Sequence, residues 1–346
     1  MGLSSQTHHT TVNAVSGQVA QVNRQPASDL EEVDLQAHRL TFRCEVQSPM
    51  LMPAWSGPIL RGAFSDALRT GVCSQYHPTT LQGSFAGCPA CDLLASSDER
   101  SARGTEMPRP FTLEPGIGPS GVLLPGRVFQ FGMTLFGEAV NLFPFIHSAV
   151  QHMGRVGLVS TGQQPGKFRL REVWAENPFI GQRECLSRAQ DVALRLPSIP
   201  ITHRDVQGVA ERQQSESLTL ELLTPMRLVS GGQLVHTLTF EALLRRILRR
   251  IDQLARTGSG PGIDLPFGLL IESAFSIAAR VDETRWVDLF SHSSRTTRST
   301  PIGGLVGRIT FEGEIRPYLP WLFWAEVCHV GKDTTKGNGW IQIISR

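Results

Sequence analysis

The chain has 346 residues, of which 40% are apolar and 18% are charged, and its formal net charge is +2. This length exceeds the roughly 100 to 150 residues of a typical domain, so we predict two globular domains with separate cores. No apolar run approaches the roughly 20 residues of a membrane span, and the amino terminus lacks the basic start and apolar block of a signal peptide. With six cysteines, these features predict a protein of the reducing cytoplasm, where clustered cysteines more often bind metal than form disulfides.

The positive charge is carried almost entirely by arginine. Lys167, Lys332 and Lys336 are the only lysines among 33 cationic side chains. Arginine suits bidentate phosphate contacts, although an arginine-rich genome would produce the same bias.

The chain begins with residues 1–35, which are rich in Ser, Thr, Gln and Asn and are predicted to form a disordered tail. A first domain is predicted over residues 36–205. Its first helix is expected from Ser56 to Thr70, with an apolar stripe and Gly71 as its stop. An insertion over about 72–107 follows this helix and contains clustered cysteines.

The two halves of the chain repeat one another at an offset of 176 to 178 residues. Met133–Gly137 precedes an apolar helix pattern that ends in His152-Met153-Gly154, and Ile309–Gly313 precedes another that ends in His329-Val330-Gly331. Each half is predicted to run strand, helix, two strands, helix, strand, which is the order of a ferredoxin-like fold. The predicted class is therefore α+β, with tandem ferredoxin-like domains that each carry two helices on an antiparallel sheet.

The second domain is predicted over residues 215–346, after a polar, aperiodic junction over residues 202–217. Thr239 is expected to cap a helix that ends at Gly258, with apolar residues at i, i+3 and i+4 spacing. Four arginines occupy the other side of this helix, as either a solvated face or an RNA-contacting face. They are Arg245, Arg246, Arg249 and Arg250.

The inserted segment has the spacing C-x3-H-x10-C-x2-C. Cys73, His77, Cys88 and Cys91 supply four ligands, of the two types that zinc accepts in a tetrahedral site. A structural zinc is one interpretation. Free cysteines and a catalytic metal are the alternatives.

A glycine-rich loop extends from His329 to Trp340, close to the carboxyl end. Its glycines, Gly331, Gly337 and Gly339, would let the backbone approach a phosphate, and Lys332 and Lys336 add positive charge. The loop lacks the Lys and Ser or Thr that follow the second glycine of a nucleotide P-loop. It is thus either an RNA clamp or a plain hairpin turn.

These patterns resemble the CRISPR-associated endoribonucleases of the RAMP superfamily, which process precursor CRISPR RNA. Their terminal loop, H-x-G-K-x-T-x-x-G-x-G, is matched by His329, Gly331, Lys332, Thr334, Gly337 and Gly339. Further similarities lie in Gly57–Arg69, Pro110–Pro115, Leu135–Gly137, Thr224–Leu228 (T-P-x-R-L), Ser293–Arg295 (S-S-R) and Gly303–Gly307 (G-G-L-x-G). His292 and Lys336 stand where the family usually has aromatic residues, which bears on how RNA stacks.

The resemblance implies an endoribonuclease that cuts within CRISPR repeats by attack of the RNA 2′-hydroxyl, with no cofactor for catalysis. The family's acid-base histidine lies near the first helix, so His77, helped by Tyr76, and His38 are the candidates, and the alternative is that the catalyst is absent or is another residue. RNA contacts are expected from Arg61, Arg69 and Arg295 and from the six matched loop residues with Lys336. The implied partners are repeat RNA and a CRISPR effector complex. The alternative function is a non-catalytic RAMP subunit that binds guide RNA in such a complex.

Overall fold

The computed structural model describes most of the chain after the amino-terminal segment. The described residues are 33–77, 87–94, 108–117, 120–158, 164–191, 193–213, 216–257, 262–263, 266–292 and 299–344. Residues 1–32 of the predicted tail lie outside them. Val33 and Leu35 are buried, so the packed part of the first domain begins before residue 36.

The first domain is an antiparallel sheet with helices on one face. Its helices and strands are β1 (Ala37–Val46), β2 (Met50–Met52), α1 (Gly57–Leu68), α2 (Ser74–Tyr76), α3 (Pro89–Leu94), β3 (Phe111–Glu114), β4 (Gly121–Leu123), β5 (Val128–Phe136), α4 (Phe143–Val156), β6 (Phe168–Asn177) and β7 (Gln182–Arg188). The sheet order is β3-β5-β1-β6-β7. Alternate residues of β1, including Leu40 and Phe42, form the core with Leu60 and Phe64 of α1.

The second domain repeats this arrangement. Its elements are α5 (His203–Arg212), β8 (Ser217–Met226), β9 (Val229–Ser230), β10 (Gln233–Leu234), α6 (Phe240–Thr257), α7 (Phe267–Ser273), β11 (Ala278–Asp282), β12 (Arg285–Val287), β13 (Phe290–His292), β14 (Ser299–Pro301), β15 (Gly304–Glu312), α8 (Leu319–Cys328) and β16 (Ile341–Ile343). The order β11-β15-β8-β16 corresponds to β3-β5-β1-β6 of the first sheet. The predicted tandem ferredoxin-like fold is confirmed, with β7 as an added edge strand.

One local prediction was wrong, and one segment contains a helix that its sequence pattern did not indicate. Helix α1 does not stop at Gly71, because a π-helical turn over Arg69–Cys73 continues it into α2, and this turn buries Val72 and Cys73. The polar, aperiodic segment in which we placed the domain junction contains α5, which begins with a capping box between Thr202 and Asp205. Helix α5 buries few residues, so its apolar pattern in the sequence is short. His203 Nδ1 on this helix accepts a 3.0 Å hydrogen bond from the Trp324 indole of α8. Tertiary packing therefore determined the secondary structure of both segments.

Across the described ranges, the helices are too short or too polar to cross a membrane.

Candidate nucleic-acid interface and metal centre

The glycine-rich loop joins α8 to β16 and follows an ordered path along the end of β8. The Lys332 amide donates to the Arg227 carbonyl, and the Gly339 amide donates to the Pro225 carbonyl, each at 3.0 Å. His329 and Asp333 have positive φ angles of 57° and 62°, and Thr334–Lys336 form a short 3-10 turn. The loop is therefore not a plain hairpin turn, because these backbone hydrogen bonds anchor it to the T-P-x-R-L segment at the end of β8.

Protein packing explains why the loop contains glycines. Gly337 and Gly339 have φ angles of 83° and 72°, and a Cβ on Gly339 would lie 1.9 Å from the Val330 carbonyl oxygen. A Cβ on Gly337 would lie 2.4 Å from Pro115 Cδ, just after β3. The first residue of α1, Gly57, must also be glycine, since a Cβ added there would lie 1.8 Å from the Lys336 carbonyl oxygen. The loop thus packs on both β3 and α1 of the first domain.

Two residues expected to contact RNA point into the protein instead. His329 is fully buried and stacks on Trp340 with an angle of 9° between the two ring planes. Burial, and then the positive charges of Arg250 and Arg39, lower the pKa of its imidazole to about 3. Thr334 is also buried, and its hydroxyl accepts a 2.9 Å hydrogen bond from Arg250. These side chains hold the loop together and are not available to RNA in this arrangement.

The two loop lysines remain accessible. Lys332 is exposed, and Lys336 is half-buried with its Nζ 2.8 Å from an Asp333 carboxylate oxygen. Phosphate contact by the loop would therefore come from these two ammonium groups.

Arg250 departs from the helix face on which the sequence placed it. Arg245 and Arg249 are exposed, and Arg245 pairs with Glu241 one turn away. The Arg250 guanidinium instead donates to the Cys328 carbonyl at 3.3 Å and to Thr334, and burial lowers its pKa to about 10. Salt bridges within the described chain do not include Arg250. A half-buried positive charge therefore lies against the loop.

Helix α1 carries one of the predicted phosphate-binding arginines, Arg61, and Arg69 opens the π-helical turn that follows it. Arg61 lies one turn after Gly57, with its guanidinium 5.6 Å from the centre of the Phe111 ring. Burial, and then the like charges of Arg109 and Arg69, lower the pKa of Arg61 to about 9. The sequence did not predict Arg109 here, because about 40 residues and the insertion separate it from α1 and nothing local marks its approach.

The four predicted metal ligands form one cluster. The Cys73 and Cys91 sulfurs are 3.9 Å apart, the Cys88 and Cys73 sulfurs are 3.7 Å apart, and His77 Nε2 is 3.3 Å from the Cys91 sulfur. All four ligand atoms lie within 4.8 Å of one another. Tetrahedral zinc with bonds of roughly 2.3 Å to sulfur places sulfurs about 3.8 Å apart, so the residues fit this ion. Burial raises the pKa of the Cys73 thiol to about 12, so a bound cation is what would keep it deprotonated.

The other predicted catalytic and RNA-binding residues are scattered. His38 is 6% exposed, its Nδ1 has no hydrogen-bond partner among the described residues, and burial lowers its pKa. Tyr76 is 48% exposed, and its ring meets Phe145 edge-on at 6.3 Å. Arg295, with the rest of S-S-R, lies outside the described residues.

Comparison with known proteins assigns both halves of the chain to family models. Residues 35–198 match a model described as an N-terminal domain, and residues 220–341 match the CRISPR-associated endoribonuclease Cas6. No curated protein matches the sequence.

Solved structures share the fold at low sequence identity. A Cas6 product complex is 16% identical, with a TM-score of 0.54 over 89% of this chain and 100% of that chain. Thermus thermophilus Cas6 is 15% identical, with a TM-score of 0.52 over 90% of this chain and 99% of that chain. A partial complex of Cas6, RT, Cas1 and Cas2 is 14% identical, with a TM-score of 0.56 over 90% of this chain and 46% of that chain.

Proposed function

We propose that this chain, a CRISPR-associated protein of the Cas6 type, is an endoribonuclease that cuts precursor CRISPR RNA within its repeats. One observation carries the proposal. The glycine-rich loop packs on the amino-terminal end of α1, which brings the backbone of Lys336 in one domain against the helix that carries Arg61 in the other. A positive surface shared by two ferredoxin-like domains fits the phosphate backbone of RNA.

The reaction we propose uses the RNA itself as the nucleophile. A base removes the proton of the 2′-hydroxyl, the oxygen attacks the adjacent phosphorus, and an acid protonates the departing 5′-oxygen. The lysines and arginines stabilise the negative charge of the crowded phosphorane. This scheme needs no cofactor. A zinc ion held by Cys73, His77, Cys88 and Cys91 would contribute folding energy outside the reaction.

Cleavage of labelled repeat RNA in excess EDTA tests this scheme. We expect one cut per repeat, a 2′,3′-cyclic phosphate or 3′-phosphate on the upstream product, and a 5′-hydroxyl on the downstream product. A chelator should leave the rate unchanged, measured while the circular dichroism of the protein confirms that it stays folded. Products with a 5′-phosphate, or activity lost in EDTA by a folded protein, would indicate another nuclease chemistry.

Replacing both loop lysines with glutamate should weaken RNA binding by about tenfold or more. Each phosphate contact contributes about 0.7 to the slope of log affinity against log salt for single strands, so losing two should flatten it by about 1.4. Preference for the repeat over unrelated RNA should barely change, because phosphate contacts carry no sequence information. Lys167→Glu, at the chain's other lysine, which is exposed, controls for the added negative charge. Unaltered affinity and slope in the double variant would mean that the loop does not contact phosphate.

A non-catalytic RNA-binding subunit is the second candidate, and the positions of the histidines favour it. His77 Nε2 lies against the Cys91 sulfur, and His38 is buried. Of the three proposed catalysts, only Tyr76 has an exposed side chain for proton transfer. Tight repeat binding without cleavage in the assay above would establish this second function.

A further inference from the structure

Glu114 is a buried carboxylate at the end of β3, only 4% exposed, and its partners lie in the same sheet. The Arg39 guanidinium of β1 donates twice to its Oε2, from Nε at 3.1 Å and from Nη2 at 2.9 Å. The Thr134 hydroxyl of β5 donates to its Oε1 at 3.3 Å. Gly132, directly opposite on β5, leaves the space that the carboxylate fills, since a Cβ there would lie 2.7 Å from Oε2. Glu114 therefore holds the Arg39 side chain in one orientation.

Arg39 connects this group to the second domain. Its guanidinium carbon lies 5.9 Å from the centre of the Trp340 ring, within the range of a cation–π contact. Trp340 stacks on His329, and these two residues are the last and the first of the glycine-rich loop. The Trp340 amide also donates to the Thr224 hydroxyl at 2.9 Å. Arg39 therefore contacts the loop at the point where its two ends meet.

The residue after Glu114 supports the same loop. Pro115 lies against Gly337, where an added Cβ would lie 2.4 Å from Pro115 Cδ. Two consecutive residues of the first domain thus reach the loop, one directly and the other through Arg39. Lys336 immediately precedes Gly337, so these contacts help to determine where its ammonium group lies.

We propose that Glu114 is a positioning residue for RNA binding: through Arg39 it holds the glycine-rich loop and so sets where Lys332 and Lys336 meet the RNA backbone. The inference rests on the proposed function, because it requires the loop lysines to contact phosphate. A buried carboxylate of the first domain then controls RNA affinity without touching the RNA, whose phosphates would repel it.

Digestion of Glu114→Gln with endoproteinase Lys-C measures the loop without RNA. The chain offers this enzyme three sites, Lys167, Lys332 and Lys336, and the exposed Lys167 of the first domain is an internal reference. Glutamine keeps the size of the side chain but removes the charge that strengthens its hydrogen bonds. We expect cleavage at the two loop lysines to accelerate by about threefold or more relative to Lys167. An unchanged ratio, or equal acceleration at all three lysines, would overturn the proposal.

Glu172→Gln is the matched control. Glu172 lies on β6 of the same sheet and accepts a 3.3 Å hydrogen bond from Arg43 of β1, so this variant also breaks a carboxylate–arginine pair. It should leave the cleavage ratio unchanged. If circular dichroism shows that Glu114→Gln is unfolded, the double variant with Arg39→Gln replaces it, because removing both partners leaves no unpaired charge.

Fluorescence anisotropy with repeat RNA measures the consequence for binding. Glu114→Gln should bind several-fold more weakly, although the loss of a negative charge by itself favours RNA binding; Glu172→Gln loses the same charge and should not bind more weakly. In the Lys332→Glu, Lys336→Glu background, Glu114→Gln should cause no further loss, because the loop has no phosphate contact left to misplace. Wild-type affinity of Glu114→Gln, or an additive loss in that background, would contradict the positioning role.

These measurements separate the inference from the proposed function. If the wild-type protein binds repeat RNA without cutting it, the proposed reaction fails, while the affinity of Glu114→Gln still decides the inference. If the protein cuts the repeat and the double lysine variant binds RNA normally, the inference is overturned and the endoribonuclease function stands.

Discussion

His77→Ala should lose bound zinc and about 3 to 5 kcal/mol of folding stability together. The imidazole lies in a cluster with three cysteine sulfurs, and a structural zinc site contributes apparent folding energies of roughly 10 to 16 kcal/mol in small domains. Removing one of four ligands should forfeit part of that energy. The measurements are metal content by mass spectrometry and the free energy of unfolding in urea, on the same preparation. His236→Ala, at an exposed histidine of the second domain, should change neither quantity.

The same variant separates the two roles that the sequence offered for His77. A zinc-bound imidazole has its lone pair committed and is a poor proton shuttle. If zinc and stability are normal but single-turnover cleavage falls by about 10²-fold or more, His77 is an acid-base catalyst instead. Normal zinc, stability and cleavage would eliminate both roles.

The folding stability of the protein should fall as the pH drops below about 6.5, because buried histidines, among them His203 and His329, are held in the neutral form. Burial lowers the pKa of His203 to about 4, and burial with the nearby charges of Arg250 and Arg39 lowers the pKa of His329 to about 3. Between these values and 6.5 the unfolded chain binds a proton that the folded chain does not, so acid favours unfolding. Each of these two histidines should lower the free energy of unfolding by about 1.4 kcal/mol per pH unit between 6.5 and its folded-state pKa.

Urea unfolding at pH 7, 6 and 5 measures this dependence. His203→Gln and His329→Asn each remove one titrating group, so each should flatten the pH dependence by about one histidine's share, whatever their stability at pH 7. His236→Gln, at an exposed position, is the control and should keep the wild-type slope. Wild-type slopes in both buried-site variants would show that these imidazoles take up protons while the protein is folded.

The sequence alone determined the elements that local patterns encode. The apolar spacing of Phe240–Thr257 predicted α6, and Thr239 caps it as expected. The repeated strand and helix order predicted two ferredoxin-like domains. In the structure, the four strands that the two sheets share have the same order in both. The cysteine and histidine spacing in the insertion predicted the ligand cluster, since a single zinc site requires those residue types close together.

Only the tertiary structure decided where side chains point between segments that are distant in sequence. The loop motif marked His329 and Thr334 as RNA contacts, yet the approach of Arg250 and Trp340 buries both. The charge of Arg109, which follows the insertion, lowers the pKa of Arg61, which precedes it. Gly71 continues a helix because the turn around it buries Val72 and Cys73. A sequence motif records which residues occur together, but burial and hydrogen bonding to distant segments determine which of them remain available to a ligand.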